Sequence, residues 1–261
     1  MIDFDLKIGK SRLMVAAIHN GHQIRPELLP YLNLTDKERE REEDPFTSEL
    51  TNISDNSLNV FTSRFEVDIN RPKEKAVYRK PEDAWGLTIY NQEIPADLVA
   101  TSLRYYDEFY ECLHRTFNEI LAHHPWLIVY DLHSYNHRRD GIDSYEDPED
   151  NPEINLGTGN IDLDRWGGVV NCLEYTLSHY NFEGRNLDVR KNIKFKGGYF
   201  AKWLSMNFGN RVCPIAIEFK KFFMNEWTGE VNQNQLDHIR QLLISTIQPV
   251  ISEASELTKS E

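Results

Sequence analysis

RLMVAAIHNGH, residues 12–22, holds an unbroken apolar run, Leu13 to Ile18, that stops at two histidines three residues apart. A short, continuous run of this kind predicts a strand buried on both faces, as in a parallel sheet. Asn20 and Gly21 then turn the chain, since glycine tolerates positive φ. His19 and His22 are therefore expected where a buried strand ends, the place where open α/β sheets bind ligands. A tight turn off a rigid strand holds imidazoles close together, which a metal requires. The competing reading is a polar loop that contains two histidines, because H-x-x-H alone is a weak motif.

The 261 residues are read as one α/β domain, with 40% hydrophobic and 11% aromatic residues to fill its core. With 29 Lys and Arg against 42 Asp and Glu, the formal charge is −13. That balance argues against nucleic acid or an anionic membrane as partner, but not against an anionic substrate gripped by local arginines. The three cysteines, Cys112, Cys172 and Cys213, are far apart and read as reduced thiols. The acidic N-terminus does not read as a signal peptide, and no run has the length of a membrane span. A cytoplasmic protein is the expectation.

Thr35 or Asp36 caps a short charged helix. It is expected to stop before Pro45, and one of Glu42, Glu43 or Asp44 at its end is a candidate to turn toward the histidines. Leu58–Arg64 reads as a second strand. Beyond it, Arg64, Asn70 and Arg71 form a candidate fork for a substrate carboxylate, with Asp68 holding one arginine; a structural salt-bridge cluster is the alternative. Residues 73–95 read as a long loop with a short strand. Pro95 opens the longest helical pattern, residues 96–124, whose His114, His123 and His124 read as structural or exposed. WLIVYDL, residues 126–132, is the clearest strand and leads into His133, a third candidate ligand. Asp131 is the group to support it rather than a ligand itself.

Residues 138–165 read as a long acidic loop, closed by Asn155-Leu156-Gly157-Thr158, which could approach the site. Residues 166–180 read as a helix. Lys196, Gly197 and Gly198 precede a further helix, and the glycines would let backbone approach an anionic group. Residues 213–219 are the last core strand, and a carboxylate inside it, Glu218, needs a reason. It is either a buried salt bridge with the lysines that follow or a general base of raised pKa. Residues 232–251 read as an amphipathic helix, with a frayed polar tail from about residue 252.

His19-Asn20-Gly21, Ser63-Arg64 with Val67-Asp68-Ile69-Asn70-Arg71-Pro72, Asp131-Leu132-His133-Ser134, Phe195-Lys196-Gly197-Gly198-Tyr199 and Ile217-Glu218 occur in an order that resembles the N-formylglutamate amidohydrolase family. That family is similar in fold to zinc carboxypeptidases and aspartoacylases. The resemblance, over about residues 13–225, implies a three-layer αβα fold with a mixed central sheet. It also implies one catalytic zinc per chain, with other divalent metals open, and hydrolysis of an amide in a small anionic N-acyl amino acid. By position it places His19 and His133 as ligands. The relatives' second ligand, a Glu three residues after the first His, falls on His22, with Glu42, Glu43 or Asp44 as the alternative. It makes Glu218 the general base, Arg64 the oxyanion partner, and Asn70 and Arg71 the carboxylate grip. Lys196 and Gly197 complete the expected substrate-binding set. A metallocarboxypeptidase-like peptidase and a non-catalytic metal-binding protein on the same fold are the other readings.

Overall fold

The run after Arg12 is a strand, and every residue of it is buried. It lies inside a seven-stranded mixed sheet in the computed structural model, which describes residues 1–257. The strands are β1 (Phe4–Lys7), β2 (Leu13–Ala17), β3 (Asn56–Val60), β4 (Leu127–Tyr135), β5 (Ile154–Gly157), β6 (Val189–Lys191) and β7 (Val212–Lys220). Their order across the sheet is β1-β3-β2-β4-β7-β5-β6. β3, β2, β4 and β7 are parallel to one another, while β1 and β5 pair antiparallel to β3 and β7.

The described residues form five α-helices, α1 (Asp36–Glu42), α2 (Ala96–His123), α3 (Leu163–His179), α4 (Tyr199–Phe208) and α5 (Gln233–Leu257), of which α2–α5 cover the sheet. Val15, Tyr130 and Ile215 meet Val169, Leu173, Leu236 and Leu243 of α3 and α5 in one core layer. Met14, Ala16 and Val129 meet Phe109, Leu113 and Phe117 of α2 and Leu204 of α4 in the other. Alternate residues of one strand thus feed opposite layers, as the pleat requires. Each fully buried Val, Leu or Ile contributes about 1.5–3 kcal/mol. No helix of the described residues is long and apolar enough to cross a membrane.

Several boundaries differ from expectation. β3 is shorter than residues 58–64 and starts earlier, because the chain leaves the sheet after Val60 and turns at Ser63, whose carbonyl accepts from Glu66 and Val67. No strand forms within 73–95, only two short 3-10 turns and a bridge from Tyr90 to Leu32. The acidic loop hides β5, whose four buried residues line up with β7. β4 continues through His133 to Tyr135 instead of ending at Leu132, because β7 pairs with it along its whole length. The tail expected from about residue 252 is helical through Leu257, with Ala254 packed in the core; residues 258–261 lie outside the described residues.

Candidate metal centre and cleft

The carboxyl ends of β2, β4 and β7 lie side by side; from β2 the chain runs to β3 on one side, then returns from β3 to β4 on the other side of β2. Such a switch point leaves a crevice at the strand ends. His19 follows β2, and His133 sits in β4 directly beside Glu218 of β7. Asp131, His133 and Tyr135 share a face of β4, because successive side chains alternate.

Gly21 is required here, though not for a positive φ: a Cβ would run into the backbone of Phe61 and Thr62, which crosses tightly behind the turn. The turn does not bring His22 to His19 and His133. Its Nδ1 lies 2.5 Å from Glu43 Oε2, its Nε2 faces the Arg39 guanidinium, and its side chain is 43% exposed. The Glu43 bond raises the His22 pKa and so favours the protonated ring, which is no ligand.

Asp44 takes the place expected of His22. A capping box between Thr35 and Glu38 starts α1, which ends at Glu42. Phe46 adopts a left-handed conformation two residues after Asp44, and the Asp44 N–H donates to His19 O at 2.9 Å. Its Oδ2 then lies 2.9 Å from His133 Nδ1 and 3.6 Å from His19 Nδ1. One candidate ligand atom from each of His19, Asp44 and His133 falls within 4.8 Å of the other two, and all three residues are buried. Glu42 instead binds Arg41 and Arg139, and Glu43 binds Ser63 and His22.

The outward nitrogens both face carboxylates. His19 Nε2 is hydrogen-bonded to Asp68 Oδ1 at 2.8 Å, while His133 Nε2 lies 3.1 Å from Asp131 Oδ1 in a charge contact not aligned for a hydrogen bond. Outer carboxylates that fix imidazole orientation accompany metal-binding histidines. Asp68 does more than hold one arginine: its Oδ2 accepts from Arg64 at 2.9 Å and from Tyr78, and its Oδ1 accepts from the Asn70 N–H.

The donor set fits a divalent cation. Two imidazoles and a carboxylate with a further position open is a catalytic zinc arrangement. Charge argues the same way, because Asp131 is wholly buried and neither of its oxygens makes a well-aligned hydrogen bond. Buried carboxylates around two imidazoles are costly without a compensating cation. Burial pushes the Asp44 carboxyl up, but its bonds to His133 and His19 outweigh this and hold it below the usual carboxylate range. Burial acts in the opposite sense on Glu218 and dominates, raising it to about 7.

A cleft of about 320 Å³ opens over these groups. Arg64 and Arg71 line it, and Arg64 stacks on Trp85, an aromatic at the cleft mouth that sequence reasoning missed. Trp85 has φ of 55° and follows a 3-10 turn, so no periodic pattern marks it. Arg139, Lys194 and Lys221 also line the cleft and were not singled out as site residues.

Asn70 is at the cleft, but its Oδ1 caps α4 by accepting from the Phe200 N–H at 2.9 Å. Gly198 lacks a Cβ so that this side chain can approach, and the helix start is thereby occupied by Asn70. Gly197 takes φ of 104° and lines the cleft beside Lys196, which is exposed. Asn155, one residue of the stretch that closes the acidic loop, is fully buried and carries the loop after β6: its Oδ1 accepts from the Ile193 and Lys194 N–H groups, and its Nδ2 donates to Phe195 O.

The profile of the N-formylglutamate amidohydrolase family matches residues 11–224. The chain belongs to the N-formylglutamate amidohydrolase family. Among solved structures it is similar to N-formylglutamate amidohydrolase from Ralstonia eutropha JMP134, with a TM-score of 0.72, 16% identity and all of both chains covered. It is also similar to gene product Atu2144 from Agrobacterium tumefaciens, with a TM-score of 0.71, 16% identity and coverage of 97% of this chain and 96% of that one. At such identity these likenesses speak for the fold. No curated protein matches the sequence.

Proposed function

We propose that this family member hydrolyses the amide of a small N-acyl amino acid, N-formyl derivatives among them, with a divalent metal held by His19, Asp44 and His133. Zinc suits two imidazoles and a carboxylate. When bound, it supplies Lewis acidity toward a water and toward the scissile carbonyl.

The chain's own groups do the rest. Glu218, adjacent to His133 across the strand pair, takes the proton of the attacking water and returns it to the leaving amine. Its place in an apolar strand, with a pKa lifted to about 7 by burial, suits a group that must both accept and release a proton near neutrality. Arg64 faces the developing oxyanion from a position fixed by Asp68. Arg71 and the Asn70 amide N–H₂ grip the substrate carboxylate, with the roles of the two arginines open to exchange. Lys196 and Gly197 form the wall beside them.

The observation that carries this reading is the cluster of His19, Asp44 and His133 with Glu218 directly beside it. The test is elemental analysis of untagged protein, wild type and His133→Ala, followed by a panel of N-formyl and N-acetyl amino acids. About one zinc per wild-type chain, lost in the variant, with turnover of the panel, is the expected result. A wild type that takes up no metal even when zinc is supplied would overturn the metal assignment. Turnover of peptides instead of N-acyl amino acids would point to a peptidase.

A further inference from the structure

Loop 73–95 carries a large aromatic that the packing of the loop does not account for. The loop has a small core, in which Tyr78, Ala84 and Ile89 pack with Leu34 and Phe65. Trp85 meets Tyr78 edge-on, with ring centroids 6.5 Å apart, but is itself 45% exposed. Its φ of 55° is left-handed, a conformation that disfavours residues with a side chain. Gly86, the next residue, is left-handed as well, at φ of 91°, and meets no such penalty. The turn is built to hold Trp85 this way: Asp83 accepts from the Arg79 and Lys80 N–H groups, and the Trp85 N–H donates to Pro81 O. Backbone strain that a fold maintains beside a cleft points to a role there.

The ring faces two guanidinium groups. Arg64 Cζ lies 4.8 Å and Arg139 Cζ 5.6 Å from its centroid. The edges of the Arg64 group are hydrogen-bonded: Nη2 to Asp68 Oδ2 at 2.9 Å, Nε to the Tyr78 hydroxyl at 3.4 Å and Nη1 to Glu42 O at 3.5 Å. Two of these bonds are long and define the tilt of the guanidinium plane weakly. An aromatic ring against the face of the group fixes that tilt. The ring is held in turn by Arg139, which comes from the loop after β4 and is anchored on the buried Glu42 at 3.2 Å.

We infer that Trp85 is a positioning residue whose ring sets the plane of the Arg64 guanidinium. Arg64 has to present its remaining N–H groups to an oxygen whose charge grows only in the transition state. Their orientation therefore enters the chemical step and not the binding of the substrate. The inference rests on the oxyanion role of Arg64 proposed above.

The experiment compares wild type, Trp85→Leu and Trp85→Phe as metal-loaded protein, and repeats Trp85→Leu in an Arg64→Met background. The first readout needs no turnover. It is the heteronuclear NMR spectrum of the Arg64 side-chain N–H groups, assigned by their loss in Arg64→Met. A held guanidinium gives separate Nη–H signals, and one that rotates gives an averaged signal. Separate signals in wild type and Trp85→Phe that merge in Trp85→Leu are the expected result. Signals that stay separate in Trp85→Leu, or are merged already in wild type, overturn the inference. The second readout is the kinetics of the N-acyl amino acid that wild type hydrolyses best. In Trp85→Leu, kcat is expected to fall about 10- to 100-fold with KM unchanged, and to recover in Trp85→Phe. On top of Arg64→Met, the same replacement should cost less than about 2-fold. An unchanged kcat, a loss confined to KM, or an equal loss with and without Arg64 overturns the inference. A wild type that hydrolyses none of these compounds refutes the hydrolytic reading alone, and the NMR comparison then decides Trp85.

Discussion

At the scale of single residues, the site works by giving similar carboxylates different surroundings. Asp68 and Asp44 face cations or imidazoles and are held ionised, whereas Glu218 sits between apolar neighbours and is pushed to about 7. A base must be deprotonated to act, so the proposed role predicts kcat/KM that rises with pH with a slope of one proton, at a pH that the bound cation draws below the value of about 7 set in the metal-free site. Glu218→Gln is expected to keep its metal, lose about 10²–10⁴ of turnover, and lack that acidic limb in any residual rate. A pH profile with metal analysis checks both, and a variant with wild-type turnover would remove Glu218 from the mechanism. His19 and His133 were legible because each closes an apolar run, which is a local pattern. Asp44 was legible only as one of three neighbouring acids, since its choice depends on the left-handed Phe46 and a backbone bond to His19, neither of which leaves a periodic trace.

At the scale of elements, the metal cluster depends on the short helix α1 and on what pins its end. Lys221, from the turn after β7, donates to the carbonyls of Arg41 and Glu43 and is 1% exposed. Replacing it by methionine leaves buried carbonyls unpaired and is expected to cost about 2 kcal/mol. The pH dependence has a definite sign. Burial lowers Lys221 to about 8, so between there and the ordinary lysine value near 10.4 the unfolded chain binds more protons than the folded one. Its contribution to stability therefore rises with pH across that window. The stability difference between wild type and Lys221→Met, measured by denaturant unfolding at pH 7 and pH 10, should widen at the higher pH. A gap that narrows would contradict the buried placement. The long elements α2, β4 and β7 could be read from sequence because their periodicity extends over many residues. The four-residue β5 could not, since its flanks are acidic and its partner, β7, lies far along the chain.

At the scale of the molecule, the candidate ligands come from the turn after β2, the connection after α1 and the carboxyl-terminal part of β4. A cation held by all three ties together segments that unfolding separates, so binding should stabilise the whole domain. At about 100 times the dissociation constant this amounts to about 2.7 kcal/mol. Chelation is expected to lower Tm by several degrees, zinc to restore it, and His19→Ala to show neither response; a wild type indifferent to chelator would break this link. The three-layer architecture was legible as a whole because buried strands and amphipathic helices alternate along the chain, while β1 escaped notice as a short, half-exposed strand. That strand has a further consequence. The sheet ends at β1, four residues containing Asp5 and Lys7, and at β6, three residues containing Arg190 and Lys191. Short charged borders offer a poor template for strand addition by another copy. A sheet with so apolar an interior is thereby protected against growing, edge upon edge, into fibrils.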